Sequence, residues 1–148
     1  MCNVMVAGFE IEIKSLLGSK ENASALKERF LAVFPQAKLT SRNNQLNHYF
    51  EGGDLVKLRE KFADRVPADH KEAFENILRV GKKHSVRTRQ LDETVILVTK
   101  ASIDDTTSSN GISRMECEVT FPGLTLDQLD QLLLEAGFTY QAKWSRER

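Results

Sequence analysis

Phe9-Glu10-Ile11-Glu12-Ile13-Lys14 alternates strictly between apolar and charged side chains. As a β-strand, whose successive side chains point to opposite faces, it gathers Glu10, Glu12 and Lys14 on one face and Phe9, Ile11 and Ile13 on the other. The ordinary outcome of such alternation is a half-buried surface strand with its charges in water. A charged interior becomes the better reading only if other strands carry answering charges, and four later segments do.

In Ser85-Val86-Arg87-Thr88-Arg89 two guanidinium groups lie two residues apart and share a face. Residues 95–100 form an almost wholly apolar run that ends in Lys100. In Arg114-Met115-Glu116-Cys117-Glu118-Val119 one face carries Arg114, Glu116 and Glu118 and the other Met115, Cys117 and Val119, which repeats the opening pattern. Trp144-Ser145-Arg146-Glu147-Arg148 adds two more guanidinium groups on one face. If these strands close into an antiparallel barrel with the charged faces inward, the lumen holds Glu10, Glu12, Lys14, Arg87, Arg89, Lys100, Arg114, Glu116, Glu118, Arg146 and Arg148. So many ions cannot be buried without partners, because each would lose its hydration. The lumen must then be wet and must accept a compensating ligand. Arginine forks suit phosphate oxygens, and carboxylates among them call for a divalent metal bridging carboxylate and phosphate. The chemistry that fits is a metal-bound polyphosphate.

Between the charged segments the periodicity is mostly helical. Leu26, Phe30, Val33 and Phe34 recur at helical spacing until Pro35 stops the run. Residues 37–40 and 45–50 read as two short strands joined through Ser41-Arg42-Asn43-Asn44, a hairpin. Gly52-Gly53-Asp54 leads into a short helix over 55–62, and a second helix follows Pro67, with Gly81 expected in a left-handed C-terminal position. The stretch 55–81 is thus expected as a helical insertion between strands. Segments 84–91 and 94–101, joined by Asp92-Glu93, read as a tight hairpin. Residues 104–111 are polar and aperiodic and read as a mobile loop. A strand over 113–121 ends at Pro122-Gly123, and Thr125-Leu126-Asp127-Gln128 has the form of a capping box opening a helix that Gly137 stops. A last strand runs from Phe138 to the end. The fold class expected is α+β: an antiparallel barrel with helices covering its outside, in one domain.

The size suits that expectation, since 148 residues can bury a core. With 21 basic and 21 acidic residues the net charge is zero, so no global field draws in nucleic acid or an anionic membrane. Two cysteines, Cys2 and Cys117, make no disulfide framework and lack metal-type spacing, and Cys117 reads as a small hydrophobe on a strand. No apolar run reaches bilayer-spanning length, and no signal-peptide pattern opens the chain, so a cytoplasmic protein without a membrane partner is expected.

Taken together, these motifs resemble the CYTH superfamily, the triphosphate tunnel metalloenzymes that include class IV adenylate cyclases and thiamine triphosphatases. Glu10-x-Glu12-x-Lys14 is similar to the family's N-terminal signature. Asn47-His48-Tyr49-Phe50-Glu51 resembles its aromatic strand followed by an acid, and Arg87-Thr88-Arg89 its Arg-x-Arg strand. Lys100 resembles the lysine ending the next strand, Arg114-x-Glu116-x-Glu118 the mixed strand after it, and Arg146-Glu147-Arg148 a later basic strand.

The resemblance implies a tunnel-shaped barrel that uses Mg²⁺ or Mn²⁺ to hydrolyse or cyclise triphosphates. It assigns Glu10, Glu12, Glu116 and Glu118 to the metal. Lys14, Arg87, Arg89, Lys100, Arg114, Arg146 and Arg148 fall to the phosphates, and Lys14 and Glu12 to catalysis. The function implied is a metal-dependent phosphohydrolase acting on inorganic, thiamine or nucleoside triphosphate. The alternatives are a class IV type adenylate cyclase and a noncatalytic module that binds polyphosphate or nucleotide. Family members carry further acidic strands after the basic one, whereas this sequence stops at Arg148. The domain therefore reads as C-terminally truncated relative to the family, and an open barrel edge would favour a homodimer or strand swap. Nucleic acid is not expected as a partner, apart from the 5′ triphosphate of an RNA.

Plainer readings attach to several residues. Lys82-Lys83-His84 beside Arg87 and Arg89 could be a nucleic-acid patch, but the neutral charge and few aromatics argue against it. His48, His70 and His84 are scattered and suit hydrogen-bonding or surface roles. Leu126, Leu129, Leu132 and Leu133 read as core.

Overall fold

The computed structural model describes residues 17–103 and 114–147. The opening strand, with Glu10, Glu12 and Lys14, therefore lies outside the described residues, as do the polar loop at 104–111 and Arg148. The chain divides into two units, Met1–Ser41 and Arg42–Arg148.

In the first unit the spacing of Leu26, Phe30 and Val33 is realised as helix α1, Lys20–Val33, capped by Ser19, whose hydroxyl accepts from the Asn22 backbone N–H at 3.2 Å. The second unit holds β1 (Asn44–Gly52), α2 (Leu55–Phe62), α3 (Ala68–Val80), β2 (Lys82–Leu91), β3 (Thr94–Ser102), β4 (Arg114–Thr120), α4 (Leu126–Glu135) and β5 (Phe138–Glu147). This is an α+β arrangement whose five strands form one antiparallel sheet in the order β4-β3-β2-β1-β5.

Among the described residues the sheet does not close into a barrel; it is open, with β4 and β5 at its edges. The expected hairpin of 37–40 with 45–50 is not formed either. Residues 37–43 adopt no regular structure, and β1 takes β2 and β5 as its partners. Those strands are each ten residues long and offer the nine-residue β1 a long ladder on both sides, which the four-residue segment could not match. The β2–β3 hairpin forms as expected: Leu91 pairs with Thr94 across a two-residue turn in which Asp92 takes φ 50°. Asp92 also holds the start of β1, its carboxylate accepting from the Asn44 N–H and its own N–H donating to the Asn44 carbonyl, both at 3.0 Å.

One face of the sheet carries the core. Val86, Val95, Leu97, Ala101, Cys117 and Val119 point to it and are buried with Leu58 and Phe62 of α2, Phe74 and Ile77 of α3, and Leu126, Leu129 and Leu133 of α4. Each buried Val, Leu, Ile or Phe among them contributes about 1.5–3 kcal/mol relative to an exposed one. The capping box forms at α4, with Thr125 and Gln128 bonding reciprocally at 2.9 and 3.2 Å. Gly81 is extended, at φ −68° and ψ 153°, not left-handed, because β2 begins at the next residue. Its need for glycine is one of space: a Cβ would sit 2.4 Å from that of Ala101 and 2.5 Å from the Ile77 carbonyl oxygen. The left-handed stop appears after α4, at Gly137 with φ 85°.

Candidate anion-binding face

Register places the charged residues on the sheet face opposite the core. Tyr49 pairs with Arg87 and Asn47 with Arg89; Arg87 pairs with Val98, and Val98 with Glu118. Lys100 pairs with Glu116, and Gln45 with Arg146. Cross-strand partners share a face. From β4 to β5 that face therefore runs through Glu116 and Glu118, Lys100 with Val98 and Ile96, Arg87 and Arg89, Asn47 and Tyr49, and finally Trp144 and Arg146.

The parity of β5 is broken on the way. The β1–β5 register shifts between Tyr49 and Phe50, so Phe50 faces Tyr140 while Tyr49 faces Ala142. The extra residue, a β-bulge, sends Phe138 and Tyr140 to the core side yet turns Ala142, Trp144 and Arg146 to the charged side.

The face is built as interlocked pairs. Arg89 donates from Nε to Asn47 Oδ1 at 3.1 Å and from Nη1 to Glu118 Oε1 at 3.0 Å. Arg87 Nη1 donates to the Tyr49 hydroxyl at 2.9 Å, and its Nη2 lies 4.0 Å from Glu116. Lys100 Nζ donates to Glu116 Oε2 at 2.8 Å. At the far edge Arg146 Nε donates to Gln45 Oε1 at 2.8 Å, and its guanidinium carbon lies 5.4 Å from the centre of the Trp144 ring. Tyr49 and Trp144 stack at 5.8 Å and 23°, and Arg87 lies 5.6 Å from the Tyr49 ring.

Two features separate this face from an ordinary charged surface. The Arg87 and Arg89 side chains are only 14% and 13% exposed. Burial, followed by the neighbouring Arg87 charge, lowers the pKa of Arg89, and Glu118 and Glu116 oppose that shift; a guanidinium stays charged regardless. In addition, the buried donors Arg87 Nε and Asn47 Nδ2 have no hydrogen-bond partner among the described residues. A buried donor without an acceptor costs about 1–3 kcal/mol, so two of them on neighbouring strands of one face mark a place where an acceptor is wanted.

Of the residues expected at the site, Arg87, Arg89, Lys100, Glu116 and Glu118 come together. Arg146 shares their face at its far edge, and Arg114 lies at the exposed start of β4, opposite Ser102. Glu10, Glu12, Lys14 and Arg148 lie outside the described residues. Among the described residues no three His, Cys, Asp or Glu side chains cluster closely enough to hold a metal ion.

Sequence reasoning missed the part of Gln45 and Asn47, whose signal was the polar parity of Gln45, Asn47 and Tyr49. It also missed Asp130, a charged residue on the apolar stripe of α4. His48 does play a hydrogen-bonding role: it is buried, with Nδ1 2.6 Å from Asp130 Oδ2. His84 Nε2 lies 2.8 Å from the Ile77 carbonyl oxygen, and His70 sits beside Asp69 at the surface. Among the described residues no helix is long and apolar enough to cross a membrane. No family model matches the chain, and no curated protein matches it.

Proposed function

We propose that the charged face binds a triphosphate and that the protein is a metal-dependent phosphohydrolase of the triphosphate tunnel kind. In this reading the sheet is one part of a tunnel wall. The observation that carries it is the pair of nearly buried guanidinium groups, Arg87 and Arg89, with Arg87 Nε and the Asn47 amide Nδ2 both buried and without an acceptor among the described residues. Phosphate oxygens supply such acceptors, several at once and with the charge that arginine forks match.

Arg87, Arg89 and Lys100 hold the phosphate chain, with Arg114, Arg146 and Arg148 along its length. Mg²⁺ is usually held by one or two carboxylates together with phosphate oxygens and waters, so Glu116 and Glu118, two residues apart on one strand, fit that role, which the family resemblance also assigns to Glu10 and Glu12. Mg²⁺ or Mn²⁺ bound there would neutralise charge on the transferring phosphoryl group. Glu12 and Lys14 are the residues assigned to orienting the attacking water.

A noncatalytic polyphosphate-binding module is the second reading. It is favoured by the engagement of both carboxylates, Glu116 with Lys100 and Glu118 with Arg89, which leaves them as braces for the cations. Phosphate release from tripolyphosphate, thiamine triphosphate and ATP, each with Mg²⁺ and with Mn²⁺, separates the two. Metal-dependent release from at least one substrate is expected. Binding without release from any of them overturns the hydrolase in favour of the module, and cyclic nucleotide formed from ATP would place the protein among the cyclases.

A further inference from the structure

Behind the cation row, on the core side of the sheet, lies a polar cluster that phosphate binding does not use. Asp130 projects from α4 and is 1% exposed. Its carboxylate accepts from the Thr88 hydroxyl at 2.6 Å and from the Tyr140 hydroxyl at 2.8 Å, and it lies 2.6 Å from His48 Nδ1. Thr88, His48 and Tyr140 belong to β2, β1 and β5, three adjacent strands. One carboxylate thus ties three strands together.

The place at which it does so is specific. His48 and Thr88 are cross-strand partners, and the pairs on either side of them are Asn47 with Arg89 and Tyr49 with Arg87. Since alternate residues of a strand point to opposite faces, the two residues gripped from behind are interleaved with the four that form the centre of the charged face. The third, Tyr140, adjoins the bulge that turns Trp144 and Arg146 to that face. Packing alone does not call for a carboxylate here. Position 130 follows Leu129 and lies one helical turn after Leu126, on the buried stripe of α4, where an apolar residue of similar volume would cost no desolvation.

We propose that Asp130 is a positioning residue for the anion-binding face. Its bonds fix the side chains of Thr88 and His48, and with them the local twist and pleat of β1 and β2. That fixes the direction in which Arg87 and Arg89 leave the sheet. The assignment rests on the reading of that face as a triphosphate site.

The test compares Asp130→Asn, Thr88→Val and Thr88→Ser with Ile77→Val, a core change in α3 away from the cluster. Two quantities are measured on the whole chain: the ¹⁵N–¹H signals of the Arg87 and Arg89 Nε–H groups without ligand, and the Kd for tripolyphosphate. Asp130→Asn and Thr88→Val are expected to shift and broaden the arginine signals and to weaken tripolyphosphate binding about tenfold. Thr88→Ser, which keeps the hydroxyl, restores both, and Ile77→Val lowers the melting temperature without moving either. Arginine signals and Kd unchanged from wild type in a folded Thr88→Val protein overturn the proposal, as does a response no larger than that of Ile77→Val at equal loss of stability. Should Asp130→Asn fail to fold, the Thr88 pair decides. If wild type does not bind tripolyphosphate the functional reading fails, and the arginine signals alone decide the role of Asp130.

Discussion

Arg89 and Glu118 are joined by a 3.0 Å hydrogen bond although their strands are not neighbours: β3 runs between them. The guanidinium crosses β3 above Ile96 and Val98, which are 7% and 0% exposed on the charged face. The arginine stem covers apolar strand while its head reaches the carboxylate, so the pair both neutralises charge and seals that side of the sheet.

Glu118→Gln separates the two roles of that carboxylate. Leaving Arg89 without its counter-charge should lower stability by about 1–2 kcal/mol, a value moderated by the partial exposure of Glu118. Removing a negative charge beside the arginines should also strengthen metal-free binding of tripolyphosphate. Urea denaturation and calorimetric titration of one variant check both, and weaker metal-free binding would contradict the arrangement.

Tyr140 gives stability a pH dependence at the alkaline end. Burial first, and then its hydrogen bond to Asp130, push its phenol up to about 12, against about 10 for an unfolded tyrosine. With the folded value raised, the contribution is complete below about pH 10 and is lost as pH rises through about 12. Denaturation curves across that window should show wild type losing stability faster than Tyr140→Phe, which has no proton to release there.

The sheet's two faces were legible in the sequence because strand parity is a local property. Arg87 and Arg89, Glu116 and Glu118, and the capping box at Thr125 all stand where alternation or spacing put them. The partners of β1 were not legible, since a polar turn at 41–44 reads as a hairpin whether or not residues 37–40 have anywhere better to go. Nor was the β5 bulge, because an extra residue is set by the neighbouring strand and leaves no mark on parity within 138–147. Asp130 lies among the leucines of α4, and nothing in its helical spacing names its partners. Two of its three partners, Thr88 and His48, lie 42 and 82 positions away, which no window along the chain can see.

Gly53 tests the junction between β1 and the end of α4. It has φ 78°, and a Cβ there would meet the Phe138 ring at 2.3 Å; the Asp54 N–H that follows donates to the Ala136 carbonyl at 3.0 Å. Gly52 has φ 67° with open space around it. Gly52→Ala should therefore cost about 1–2 kcal/mol from backbone strain alone, and Gly53→Ala about 3 kcal/mol or more, since overpacking is added. Thermal denaturation of the two variants side by side gives the ordering.

Cys117 is buried against the core, and burial pushes its thiol up to about 11, helped by the Glu118 charge. It should alkylate slowly in the native protein at neutral pH and promptly once the chain is unfolded in denaturant. Peptide mass spectrometry after timed exposure to iodoacetamide reads this directly.

The central claim is that Arg87 and Arg89 form a phosphate site, and calorimetric titration of tripolyphosphate into wild type and Arg87→Ala, with and without Mg²⁺, tests it most directly. Losing the Arg87 contacts should weaken binding by roughly 2 kcal/mol, about thirtyfold, while the circular dichroism spectrum stays that of the folded protein. Equal affinity in the two folded proteins, or no binding by wild type under either condition, would contradict it.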